Sequence, residues 1–103
     1  MGELTRLPNV GKVLEKNLNK IGIYTEKQLK EIGSREAFVR IRMIDSGACL
    51  HMLYGLQGAI DGIKDSLLPL STKQQLKVFY RDLSGEAKNA SSLLKKKTII
   101  DKE

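Results

Sequence analysis

Apolar residues recur at three- and four-residue spacing along most of the chain, the period of a helix with one buried face. Leu14, Leu18 and Ile21 set the first such face. They predict a helix from about Gly11 to Ile21, with Lys12, Glu15, Lys16, Asn19 and Lys20 outward. Gly22 follows where a left-handed terminal residue is expected. Thr25 and Gln28 have the spacing of a capping box, and Tyr24 and Leu29 that of a hydrophobic staple across the same start. A short helix with Leu29 and Ile32 inward should end at Gly33. Ser34 is expected to cap a third helix, with Ala37, Phe38, Ile41 and Ile44 inward and Arg35, Arg40 and Arg42 along it. Asp45-Ser46-Gly47 reads as a turn. Val39-Arg40-Ile41-Arg42 alternates, but its neighbours favour a helix, and no convincing strand is expected.

The segment from Ala48 to Ile63 is apolar over most of its circumference, through Leu50, Met52, Leu53, Tyr54, Leu56, Ala59, Ile60 and Ile63. Such a helix is normally central to a fold. Gly55, Gly58 and Gly62 fall on one side of it with His51, and each glycine costs about 1 kcal/mol relative to alanine. The expected return is another helix lying close against that smooth face. Gly58 and Gly62 share the spacing of a membrane-helix dimer motif, but Asp61 and the short apolar length argue against a bilayer. Gly55-Leu56-Gln57-Gly58 has the spacing of a KH-domain loop, yet it lies inside an apolar helix. After the apolar link Leu67-Leu68-Pro69-Leu70, Ser71 and Gln74 read as a second capping box. They would open a helix through Leu76, Val78, Phe79 and Leu83 that ends near Ser84-Gly85. The expected fold class is all-α, a compact bundle of about five helices over residues 1–85. A polar, lysine-rich tail over residues 86–103 follows, in which Lys95-Lys96-Lys97 reads first as a solvated run, with non-specific phosphate attraction as the alternative.

Composition narrows the chemistry. At 103 residues one domain is expected. Trp is absent and there are 2 Phe and 3 Tyr, so the core must rest on aliphatic side chains. No apolar run reaches the roughly 18 residues that span a bilayer, no signal-peptide pattern opens the chain, and the single Cys49 has no partner for an internal disulfide. A cytoplasmic location is expected. Cys49 and His51 are the only soft metal ligands, and two residues apart on a helix they do not face each other. Structural roles are expected for both, with no metal and no cofactor. Acidic residues interleave with lysines, as in Glu26-Lys27 and Lys30-Glu31, and no phosphate-binding loop of the Gly-x-x-x-x-Gly-Lys-Ser/Thr type is present. These features favour a protein without enzymatic activity. The net charge of +6 lies at the two ends of the chain, which permits nucleic-acid binding without requiring it.

The remaining signal is Leu7-Pro8-Asn9-Val10-Gly11-Lys12. Asn9 and Gly11 tolerate left-handed backbone, so a tight hairpin can deliver the chain into the first helix. Backbone N–H groups at such a start suit a phosphate. Residues 7–23 resemble the hairpin and second helix of a helix-hairpin-helix motif, whose usual form is Leu-Pro-Gly-hydrophobic-Gly before an apolar helix ending in Gly-Ile. Asn9 stands for the first glycine, and Met1 to Arg6 stand where a first helix would be. The resemblance implies a grip on the DNA backbone without sequence readout, at Asn9, Val10, Gly11 and Lys12, with Lys16 beside them. Lys64, distant in sequence, is expected to lie apart from that site.

A wider likeness runs through Gly22-Ile23-Tyr24-Thr25, Gln28-Leu29, Arg40-Ile41-Arg42, Cys49-Leu50-His51-Met52-Leu53-Tyr54-Gly55-Leu56-Gln57-Gly58-Ala59-Ile60 and Leu68-Pro69. Together with the hairpin, these resemble the C-terminal domain of TfoX/Sxy competence regulators over about Leu4 to Tyr80. The Leu-Tyr-x-Leu-x-Gly-Ala-Ile segment is the most specific part. The resemblance implies an all-helical, non-enzymatic domain linked to natural transformation, and it offers no catalytic residues. Longer members carry an α/β domain ahead of this one. The alternative expectation is a protein-interaction module whose hairpin is purely structural.

Overall fold

The computed structural model describes residues 3–88, with side chains to residue 83. Over this range five α-helices follow one another: α1 Lys12–Lys20, α2 Glu26–Ile32, α3 Ser34–Ile44, α4 Leu50–Asp61 and α5 Leu70–Lys88. Two short 3₁₀ turns, Glu3–Arg6 and Asp65–Leu67, complete the order. No strand occurs among the described residues. The all-α bundle is therefore as the spacing predicts.

Local chemistry explains most of the boundaries. Gly22 has φ of 90°. Its N–H donates to the Asn19 carbonyl at 3.0 Å, and the Ile23 N–H donates to the Leu18 carbonyl at 2.9 Å. This is the paired C-terminal closure that a left-handed glycine allows. Both halves of the capping box at Thr25 and Gln28 are formed, while Tyr24 stands exposed rather than buried against Leu29. The Glu26 N–H at the start of α2 donates to the Glu3 carboxylate at 3.0 Å, which ties the N-terminal 3₁₀ turn to that helix.

Several expectations are corrected. Ser34 is the first residue of α3 and does not cap it; Gly33, with φ of 86°, precedes the helix. The Ser34 hydroxyl donates instead to the Gln57 side-chain oxygen at 2.6 Å, joining α3 to α4. Glu15 is buried rather than outward, because α1 packs against both the first 3₁₀ turn and α3. Asn17 is buried beside it and donates to the Asp45 carboxylate at 3.4 Å. Ile44 and Val78 lie past the edge of the core and are exposed. Helix α5 begins at Leu70, one residue before the supposed cap Ser71, and runs through Ser84-Gly85 to Lys88. The remainder of the expected tail, with Lys95 to Lys97, lies outside the described residues.

Helix α4 lies at the centre, packed against α2, α3, α5 and the second 3₁₀ turn. Leu53 and Leu56 are wholly inaccessible, and Phe38, Ile41, Leu18, Leu29 and Leu76 meet them in one core. On the far side Phe38 and Tyr80 bring α3 to α5, their rings 5.9 Å apart and tilted. The Arg42 guanidinium sits 5.3 Å from the Tyr80 ring centre, within the range of a cation–π contact.

Candidate nucleic-acid interface

The hairpin is a turn closed by the Val10 N–H donating to the Leu7 carbonyl at 3.3 Å. Pro8 fixes its second position, and Asn9, the non-glycine residue with positive φ among those described, takes 68° at the third. That is the arrangement of a type II turn. The Asn9 side chain then reaches across to α4. Its amide donates to the Gly55 carbonyl at 3.3 Å and the Ile63 carbonyl at 3.0 Å, and its oxygen accepts from the Asp65 N–H at 3.1 Å.

The glycines of α4 make room for this. A Cβ at Gly55 would lie 3.4 Å from the Asn9 Cβ. One at Gly58 would lie 2.5 Å from the Asn9 amide nitrogen and 2.7 Å from the Ile63 carbonyl. So the smooth face receives the hairpin and the returning chain, not another helix. Gly62 is not part of that face; it ends α4 in the left-handed conformation, with φ of 76°.

Seating the hairpin on α4 sets the start of α1 beside the start of α4. The residue before α1 is Gly11 and that before α4 is Cys49, and neither helix has a side-chain cap. An open hollow of about 640 Å³ lies there, lined among others by Asn9, Lys12, Cys49, His51, Lys64 and Asp65. The predicted site residues thus divide. Asn9 is committed to holding the fold, and Val10 is buried with its N–H used in the turn. Gly11 is open, with no atom within 4 Å of where a Cβ would stand, and Lys12 and Lys16 are exposed. In α1 the N–H groups before Glu15 have no carbonyl one turn back, since the Glu15 N–H makes the first such bond, to Gly11. Lys12, Lys16 and Lys20 follow at four-residue steps on the exposed side of α1, each without an ion-pair partner among the described residues.

Two residues of the hollow were not expected there. Lys64 is not remote: it lines the same hollow as Lys12, because Asn9 binds the backbone of its neighbour Asp65. His51 is 81% exposed and lies 3.3 Å from the Asp65 carboxylate, an ion pair only when the imidazole is protonated. Cys49 is exposed as well, so neither residue is part of the core. Among the described residues no group of three or more His, Cys, Asp or Glu is placed to hold a metal ion. No helix among the described residues is long and apolar enough to cross a membrane.

Residues 1–80 match the family model of the TfoX C-terminal domain. The chain belongs to that family. It is 34% identical over 73 residues to Protein Sxy of Escherichia coli (strain K12), a match covering 71% of this chain and 35% of that relative. The chain thus spans about a third of the length of the relative. Among solved structures, an uncharacterized protein from Listeria monocytogenes superposes with a TM-score of 0.79 at 49% identity, covering 80% of this chain and 93% of the other. A Listeria monocytogenes protein of unknown function gives a TM-score of 0.77 at 48% identity, with 79% and 99% covered. In this chain that fold seats the hairpin on a glycine-faced central helix.

Proposed function

We propose that this TfoX C-terminal domain acts in the control of competence as a non-enzymatic module that holds the DNA backbone without reading its sequence. The observation that carries the reading is the unpaired basic side of α1. Lys12, Lys16 and Lys20 stand in line from the open start of the helix at Gly11. In this reading Gly11, Lys12 and Lys16 touch phosphate, while Asn9 and Val10 shape the turn that presents them. Phosphate contacts position a protein but carry no sequence information. Affinity should therefore lie in the non-specific range, on the order of 10⁻⁴ to 10⁻⁶ M at physiological salt.

A titration of duplex DNA at several salt concentrations tests this. Binding should weaken on a log–log plot with a slope of about 0.9 per phosphate neutralised, and Lys12→Glu should weaken it strongly. Because Lys64 lines the hollow, the control reversal belongs elsewhere, at the exposed Lys77 of α5. Equal losses from Lys12→Glu and Lys77→Glu would reduce the interaction to net charge. In cells, a Lys12→Glu chromosomal variant with unchanged transformation frequency would remove the regulatory reading.

A second reading is favoured by the corner between the second 3₁₀ turn and α5, where Leu67 and Leu70 are 67% and 70% exposed. A protein-interaction module would use such apolar surface. A chain that binds no DNA at low salt, with its hairpin intact, turns the choice to this reading.

A further inference from the structure

We infer that Lys64 and His51 form the second bank of the phosphate-contacting surface, so that a nucleic-acid backbone crosses the hollow between the starts of α1 and α4. This rests on the backbone-binding reading above and extends it to residues outside the hairpin. Three observations converge. Lys12 and Lys64 are 52 positions apart in sequence, yet both are exposed and line one hollow. Neither has an ion-pair partner among the described residues, so both charges are available to a ligand. Asp65 is the one carboxylate among the residues lining the hollow, and it lies beside His51. The local balance is thus cationic even with His51 neutral.

The position of Lys64 is built into the fold. Asn9 accepts from the Asp65 N–H and donates to the Ile63 carbonyl, which brackets Lys64 between two backbone anchors. Gly58 leaves the room for them. The arm bearing Lys64 is therefore fixed to the hairpin bearing Lys12, and the two move as one body. The groups that share the hollow with His51 are Asp65 and Lys64 on that arm, Lys12 on α1 and the Cys49 thiol before α4.

The experiment is a salt-dependent titration of mixed-sequence duplex DNA against the full chain and four variants, Lys12→Gln, Lys64→Gln, Lys77→Gln and His51→Gln. The three lysine variants change net charge equally, so differences among them report contact. Lys12→Gln and Lys64→Gln should each lower the log–log salt slope by about 0.9, and Lys77→Gln by clearly less. His51→Gln should weaken binding with its melting curve unchanged, and an unchanged affinity removes His51 from the bank. A melting curve for each variant separates misfolding from lost contact. If the wild type binds and Lys12→Gln weakens it, but Lys64→Gln matches Lys77→Gln, the second bank is overturned and the hairpin reading stands. No salt-dependent binding by the wild type overturns both. In a parallel arm with inorganic phosphate alone, saturation as tight as for duplex DNA would mark a pocket for free phosphate and overturn the backbone-crossing path.

Discussion

Helices α1 and α4 begin side by side and are bounded alike. Neither has a side-chain cap at its start. Each ends on a left-handed glycine whose successor returns its N–H to the helix: Ile23 to Leu18, and Ile63 to Gly58. They differ in what they carry. Along α1 buried leucines alternate with lysines that face out unpaired, whereas α4 has no lysine or arginine and turns leucines, glycines and alanine into the core. The shared geometry sets two helix starts at one hollow, and the differing side chains divide the labour. Helix α4 is the floor on which the hairpin is seated, and α1 is the edge that a ligand would meet. Stability and binding should therefore separate cleanly between them.

The largest expected effect is on the floor. Leu53 and Leu56 are wholly buried, so truncating either to alanine should cost about 2–5 kcal/mol. A chemical denaturation midpoint that does not move for Leu53→Ala would show that α4 is not the centre of the core.

Next comes the seat of the hairpin. Asn9→Ala would strand the Ile63 carbonyl and the Asp65 N–H, both part-buried, while the Gly55 carbonyl keeps its place in the α4 ladder. The expected loss is about 1–3 kcal/mol. Gly58→Ala should cost a similar amount, about 1–3 kcal/mol, by overpacking, since its Cβ meets both the Asn9 amide and the Ile63 carbonyl. The two changes share one contact, so the double variant should lose less than the sum. Strict additivity would mean that Asn9 does not rest on Gly58.

Much of this fold is legible in the sequence because its signals are local. The Thr25–Gln28 box, the stops at Gly22 and Gly33 and the apolar load of α4 each depend on neighbours within one or two turns. The hollow is not local. Asn9 reads as a residue that tolerates left-handed backbone, and its φ agrees. Nothing within the hairpin, however, says that its side chain will bind residues 46 to 56 positions away. The same distance hides the neighbourhood of Lys12 and Lys64. Glu15 fails for another reason: periodicity fixes the centre of a buried face but not its width, and α1 is covered from two sides. At Ser34 and Ser71 the residue type suits a cap, yet α3 begins one residue, and α5 two residues, earlier than such a cap requires. Ser84-Gly85 is a weak stop, and α5 passes through it, as propensity alone is readily overridden by context.

A smaller effect isolates backbone from packing. Gly22 has positive φ and open space where a Cβ would stand, so Gly22→Ala meets no neighbour. Any loss is conformational, about 1 kcal/mol. Gly11→Ala is the matched comparison, with equally open space and φ of −99°, and should change stability far less. Equal losses would show that the cost at Gly22 is not its left-handed backbone.

The smallest effect has the opposite sign. Lys12 is the first residue of α1, where the aligned peptide dipoles place partial positive charge and a cation is unfavourable. It is exposed and has no ion-pair partner among the described residues to compensate. Lys12→Glu should therefore stabilise the fold slightly, by about 0.3–1 kcal/mol at low ionic strength, while weakening DNA binding. Added salt should shrink the gain, because the interaction is with an exposed helix end. Lys20→Glu is the mirror test, since Lys20 closes the same helix and a cation there is favourable. It should destabilise by a similar amount. Thermal melts of the two variants at low and high salt decide the matter. If both shift the midpoint in the same direction, net charge and not the helix end governs.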